Sequence, residues 1–373
     1  MSGPRDALVV GGGPAGLAFA AAAAARGLSV TVLERGVYPV DKACGEGLLP
    51  AGRRALEALG VLPLLAPGAG VELRSIRWCE GDAEGRGVRL ALPAPGGLGI
   101  RRTALSAALR ARAEALGAEI RAGAGVVAHA RGPDGVRVTL AGGAELEGRV
   151  LVAADGLASA VRRREGLELR ATGPRRFGLR RHFARAPWSD GVEVHFGPGA
   201  EAYVTPVSAQ EIGVAFLFSS PDPDPGPNPR PRFDELLGRF PALSSRLRGA
   251  APASAVRGAG PLARSARAPI ADRLVLLGDA AGYLDAITGE GLSLGFACAL
   301  ELARLLPAAL QAGCSTRALT PYARAWRRRY RTCAAYTELM LQLSRHPALR
   351  RAVLRVAGGL PAPFERAVAM AVG

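Results

Sequence analysis

Ala7 to Val10 form a short, unbroken apolar run, the pattern of a strand buried on both faces of a parallel sheet. An Ala-rich segment, Leu17 to Arg26, follows and predicts a helix ended by Gly27, and Ser29 to Leu33 predicts a second buried strand. Two similar runs lie far downstream, at Leu151 and at Leu274 to Leu277, the latter followed by an apolar helix from Leu292 to about Leu305. Between them the period changes to two. Segments near Glu72 to Trp78, Phe177 to Phe183, Gly191 to Phe196 and Ile212 to Phe218 alternate and predict an antiparallel sheet with apolar inward faces. Ser219 to Arg232 carries alternating prolines and predicts a surface loop. Beyond Ala312 the pattern is helical again, with Tyr322, Trp326, Tyr330 and Tyr336 at near-helical spacing among many arginines.

These elements predict an α/β protein: a Rossmann-type nucleotide domain, an inserted antiparallel-sheet substrate domain and a C-terminal helical segment. The expected boundaries are 1–70, 101–165 and 262–312 for the first, 71–100 and 166–261 for the second, and 313–373 for the third.

Composition narrows the class. Of the 373 residues, 49% are hydrophobic and 21% charged, a globular balance with no fixed-period repeat and no uninterrupted apolar run of membrane-spanning length. The formal charge of +16 comes almost wholly from arginine, Lys42 being the single lysine. The arginines are dispersed and lack interleaved aromatics, which argues against nucleic acid; a peripheral contact with an anionic membrane stays open. Cys44, Cys79, Cys298, Cys314 and Cys333 form no CxxC pair, so neither a metal site nor a disulfide framework is expected. Glycines break the apolar N-terminal stretch too early for an export signal, which places the protein in the cytoplasm as an expectation.

The chemistry begins between the first strand and helix, in Gly11-Gly12-Gly13-Pro14-Ala15-Gly16. Gly11 permits a tight turn, Gly13 lets backbone approach a pyrophosphate, and Gly16 allows close packing of helix on strand. The free N–H groups at the helix start then meet phosphates. Glu34, at the end of the second strand, is placed to accept the ribose hydroxyl protons of a dinucleotide.

Two later stretches, LVAADGLASAVR at Leu151–Arg162 and LVLLGDAAGYLDAITGEG at Leu274–Gly291, complete a set of three fingerprints. Together they resemble the flavoprotein monooxygenase and geranylgeranyl reductase superfamily, whose fold is like that of para-hydroxybenzoate hydroxylase. The resemblance implies FAD held without a covalent bond. It assigns Gly11, Gly13, Pro14, Ala15, Gly16, Glu34 and Arg35 to the nucleotide side, and Asp155 with Gly156 to a turn supporting the flavin chain. Gly278 and Asp279 would meet the ribityl chain, and Gly289 and Gly291 the flavin pyrimidine. Arg102, in an Arg-x-x-Leu-x-x-x-Leu helix, would neutralise phosphate, and Val127 would touch adenine. Family members usually carry Pro where Ala286 stands, which implies a looser loop here. With one glycine fingerprint only, NAD(P)H is expected as a transient reductant, or an external protein donates the electrons.

Lys42 to Pro50, KACGEGLLP, looks like the turn beside the isoalloxazine in prenyl reductases and halogenases, so Cys44 and Gly45 are candidates to approach the ring. Halogenases carry a WxWxIP element that this chain lacks. Prenyl reductases carry an aromatic–Trp–Phe–Pro element, for which Tyr203-Val204-Thr205-Pro206 is a poor match. The expectation is therefore an NAD(P)H-dependent monooxygenase acting on a hydrophobic aromatic, quinone or polyketide-like molecule, with isoprenoid double-bond reduction as the alternative. A flavin sensor or electron-transfer module is the reading from a different class. Cys44, His182 and Tyr203 are the candidate catalytic residues, and Arg180, His182 and Tyr203 the candidates to bond a phenol or quinone oxygen.

Overall fold

Arg5–Val10 is the central strand of a parallel sheet, with Glu145–Ala153 on one side and Val30–Leu33 on the other. Leu274–Leu276 and Glu119–Arg121 continue the sheet outward, both parallel to their neighbours. Ala7, Leu8 and Val9 are fully buried, so the strand is covered on both faces, which is why its run is apolar without alternation. The fold is that of a computed structural model, which describes residues 3–80, 87–169, 175–220 and 231–359. Most of the proline-rich segment lies outside the described residues.

The first helix runs Pro14–Ala24, three residues earlier than its apolar stretch predicts, because Pro14 at the first turn has its φ already set for a helix and needs no N–H partner. Against it packs the helix Gly291–Gln311, whose Phe296, Ala299, Leu302, Ala303 and Leu306 are fully buried. By length and composition this helix could cross a membrane. In this fold it is a core helix, and its apolar surface is spent on the nucleotide domain.

The second large sheet has the order Arg257–Ala259, Arg176–Phe183, Ile212–Ser219, Ala200–Pro206, Gly191–Gly197, Ser75–Glu80, Gly87–Ala91. It is antiparallel except where Gly191–Gly197 runs parallel to Ser75–Glu80. The expected strand from Glu72 to Trp78 is in fact two. At Arg74 the chain changes partners: its N–H goes to the Asp190 carbonyl and its carbonyl accepts from Leu92. Val71–Leu73 joins a small sheet with Gly47–Leu48 and Gly97–Gly99, while Ser75–Glu80 joins the large one.

Alternation in this sheet resolves into two faces. Phe177, Leu179, Phe183, Val204, Val214, Phe216 and Phe218 form one apolar cluster with Phe233, Leu236 and Phe240 from the helices Phe233–Leu237 and Pro241–Arg246. Arg176, Arg180, His182, Glu201 and Tyr203 occupy the opposite face and reach toward the nucleotide domain. The expectation of an apolar inward face over this part of the sheet is thus corrected: those strands spend their aromatics on their outer helices. Further along, Val194, Phe196 and Trp78 do pack inward, onto Met340, Leu341 and Leu343 of the helix Thr316–Arg345. That helix also covers the nucleotide domain, through a Tyr322 hydroxyl donating to the Leu276 carbonyl at 3.2 Å and through Trp326 and Tyr330, stacked on each other at 4.7 Å, whose rings lie beside Gly282. A last helix, Pro347–Gly359, packs on Gly87–Ala91.

Candidate active site

The glycine turn sits at the carboxyl end of the central strand, where open α/β sheets bind ligands. Gly11 has φ +104°, and a Cβ there would lie 2.4 Å from the Ala154 carbonyl oxygen. A Cβ at Gly16 would lie 2.1 Å from the Gly11 carbonyl oxygen, so helix and strand touch backbone to backbone. Gly13 differs. Its missing Cβ faces open space, with the nearest atom an Arg102 guanidinium nitrogen at 4.0 Å. The Glu34 carboxylate is buried and accepts the N–H groups of Gly12 at 2.7 Å and Gly36 at 2.8 Å, which fixes it beneath the turn. Pro14 and Ala15 begin the helix, with Ala15 against the Gly278 backbone. Arg35 is exposed, and Val127 stands 49% exposed on an antiparallel flap beside the main sheet, so neither is fixed by contacts of its own.

A cleft runs from this turn toward the second sheet. Asp279, Cys44, Tyr203 and Tyr283 are enclosed by protein on most sides and yet keep accessible surface, as residues lining an internal cleft do. Burial raises the Asp279 carboxyl above its usual range, against the pull of Arg102, Lys42 and Arg162. Asp279 makes no side-chain hydrogen bond among the described residues, and neither does the Arg102 guanidinium. Asp155 caps a short helix through one oxygen, which accepts from Ala160 at 2.8 Å and Val161 at 3.2 Å, while its other oxygen is buried and unpartnered. Gly156, with φ +80°, turns the chain away. Arg162, fully buried, donates to the carbonyls of Ala280 and Leu157 and so locks the Asp155 and Asp279 loops together.

Gly45 borders the cleft with open space at its missing Cβ, and burial raises the neighbouring Cys44 thiol above its usual range, holding it protonated. His182 does not reach the cleft. It is fully buried, with Nε2 on the Glu46 carboxylate and Nδ1 2.8 Å from Ser254 Oγ, which corrects its expected role as a substrate-bonding group. Arg180 is likewise buried on Asp41 and the Lys42 carbonyl. Tyr203 faces the cleft with its ring, but its hydroxyl donates to the Ile287 carbonyl at 3.0 Å.

Gly289, with φ +71°, and Gly291 flank Glu290 at the start of the long helix. The loop before them is not loosened by Ala286. Asp285 accepts the Ile287 N–H at 3.0 Å and pairs with Arg176 at 2.8 Å, and Arg176 pairs in turn with Glu201 at 2.7 Å. Burial alone would lower the Arg176 pKa, but the two carboxylates hold it firmly charged. Sequence reasoning missed Glu46, Arg176 and Asp285. For Arg176 the available signal was charge on a strand of an otherwise apolar sheet; Glu46 and Asp285 lie in loops that carry no such pattern.

A family described as FAD binding domain matches residues 5–335. The chain belongs to this FAD-binding family. Members of this family are FAD-dependent oxidoreductases of the flavoprotein monooxygenase and geranylgeranyl reductase superfamily. Menaquinone reductase of Mycobacterium tuberculosis is 37% identical over 43% of this chain, a match that covers only 40% of that protein. Ubiquinone hydroxylase of Rhodospirillum rubrum is 28% identical over 83% of this chain and 73% of its own. Among solved structures, the Diels-Alderase of the pyrroindomycin pathway superposes with a TM-score of 0.81 at 24% identity, over 98% of this chain and 80% of its own. That last likeness shows the fold alone.

The residues of this flavoprotein fit FAD. An open glycine cradle lies within reach of an unpaired guanidinium, one Asp155 oxygen is buried without a partner, and Asp279 carries an unpaired carboxyl in the cleft. Each is a valence that a dinucleotide's phosphates and hydroxyls satisfy.

Proposed function

We propose that this flavoprotein is an NAD(P)H-dependent monooxygenase that hydroxylates a hydrophobic aromatic, quinone or polyketide-like molecule. One observation carries the reading: the ionisable groups on the inward face of the second sheet are all paired, with Glu201 of the sheet or with carboxylates of the facing loops. Arg176 is held by Glu201 and Asp285, Arg180 by Asp41, and His182 by Glu46. The protein therefore offers the substrate shape and a dry wall rather than an acid–base pair, which suits a reaction whose chemistry belongs to the cofactor. Bound FAD supplies that chemistry, passing two electrons from the nicotinamide to dioxygen so that one oxygen atom enters the substrate and the other leaves as water. The relative named as a ubiquinone hydroxylase, matched along most of both chains, supports this choice.

An excess of arginine beside the Asp155 turn supports a visiting nucleotide. Burial lowers the Arg264 pKa, Glu168 opposes this, and Arg162, Arg163 and Arg175 add to the lowering. Arg264 Nε is buried without a partner. Such a site gains when polyphosphate enters.

A second reading, reduction of an isoprenoid double bond, is favoured by Cys44. A thiol kept protonated at the cleft can give its proton to one carbon of the double bond while the adjacent carbon receives hydride. A relative named as a menaquinone reductase, 37% identical over 43% of this chain, supports this second reading. Incubation with quinones, phenols and isoprenoids under labelled dioxygen separates the two. Oxygen label in the product supports hydroxylation; a product heavier by two hydrogens, formed without oxygen, overturns it.

A further inference from the structure

We propose that Glu46 is a positioning residue that fixes the turn bordering the flavin, acting through a buried Glu46–His182–Ser254 array. The proposal rests on the reading of this cleft as the flavin site.

Glu46 lies between Gly45 and Gly47 and has φ +59°, a left-handed backbone that L side chains rarely adopt. Glycine would fit that backbone without strain, so the side chain must supply something in return. It is 3% exposed and reaches three elements. Oε1 accepts the Arg102 backbone N–H at 2.7 Å, at the start of the helix whose guanidinium faces the glycine cradle. Oε2 meets His182 Nε2 on the second sheet. The Glu46 backbone completes the grip, its carbonyl accepting from Ile100 at 2.9 Å and its N–H donating to Cys44 Sγ at 3.4 Å.

His182 can hold only one orientation here. Nδ1 lies 2.8 Å from Ser254 Oγ and 3.1 Å from an Arg180 Nη1 donor, and the Ser254 hydroxyl already accepts the His182 backbone N–H. Arg180 can only donate, so Nδ1 accepts from it and Nε2 is directed at Glu46, while the single Ser254 hydroxyl proton is shared between Nδ1 and the Ala255 carbonyl at 3.2 Å. Arg180, two residues before His182 and so on the same face of the strand, grips the other end of the turn through Asp41 and the Lys42 carbonyl at 3.0 Å. One strand therefore holds both ends of the segment that presents Cys44 and Gly45 to the cleft.

The test uses full-length protein stripped of flavin, with FAD affinity, the visible flavin spectrum and apoprotein melting as readouts. Glu46→Gly keeps the left-handed backbone and removes only the carboxylate. It is expected to weaken FAD binding by ~10-fold or more and to shift the visible band, while Glu46→Gln recovers most of both. His182→Gln, which leaves the turn's own sequence intact, is expected to move the same spectrum. If Glu46→Gly and His182→Gln are folded and bind FAD with the affinity and spectrum of the wild type, the assignment is overturned. Wild-type apoprotein that takes up no FAD would instead overturn the flavin reading, a result visible before any variant is made.

Discussion

The two sides of the cleft are built on opposite terms. On the nucleotide side the walls are backbone and open valences: Gly13 with space beside it and, among the described residues, Asp155 with one unpartnered oxygen and Asp279 and the Arg102 guanidinium without side-chain hydrogen bonds. On the side of the second sheet the charged groups Arg176, Glu201, Arg180 and His182 are instead closed by pairing, with one another or with Asp285, Asp41 and Glu46 of the facing loops. A cofactor used by every turnover rewards groups left waiting for it. A varied or apolar substrate gives no such reward, and buried charge without a partner is costly, so that side neutralises itself.

The contrast can be broken most severely where backbone meets backbone. Gly16→Val places side-chain atoms into the Gly11 carbonyl oxygen, and a loss of about 4 kcal/mol or more, or failure to fold, is expected in denaturant melts. Arg176→Met leaves Glu201 and Asp285 buried without their cation; a loss of about 3–5 kcal/mol is expected, and a loss under about 1 kcal/mol would show the cluster is not closed as described.

Glu290 gives a pH-dependent effect. Burial raises its carboxyl to about 7 from an ordinary 4.5, opposed by hydrogen bonds to Cys333 and Thr288, and one of its oxygens is unpartnered. The folded protein thus binds more protons than the unfolded chain between these values, so stability falls as pH rises from about 4.5 through about 7. Glu290→Gln removes the penalty. It should raise stability by about 2–3 kcal/mol at pH 8 and leave it unchanged near pH 4. Equal melting curves at pH 8 would contradict the burial of this carboxyl.

Tyr203→Phe removes a single hydrogen bond to the Ile287 carbonyl and is expected to cost about 1 kcal/mol. Gly13→Ala has the smallest expected effect on the fold, within about 0.5 kcal/mol in the apoprotein, because its Cβ enters open space. If that space is the phosphate's, FAD affinity should nevertheless fall by ~10-fold or more.

The same contrast explains what could be read in advance. A parallel strand, a glycine turn and a terminal acid each impose their residue type by backbone geometry, so Gly11, Gly16, Glu34 and the Asp279 loop were legible from order and spacing. Charge pairing imposes no local pattern. His182 looked like a group for substrate because its carboxylate partner, Glu46, is 136 positions away. The loop at Ala286 looked loose for the same reason, since Arg176 and Tyr203 tie it from another sheet. The strand break at Arg74 was hidden because two short strands in register with one alternation read as one.

The central claim is that the open valences around the glycine turn belong to one FAD. Purified folded protein, denatured after gel filtration, should release close to one equivalent of FAD per chain, and stripped protein should take it back with a perturbed visible spectrum. Folded protein that carries no flavin and leaves the spectrum of added FAD unchanged would contradict it.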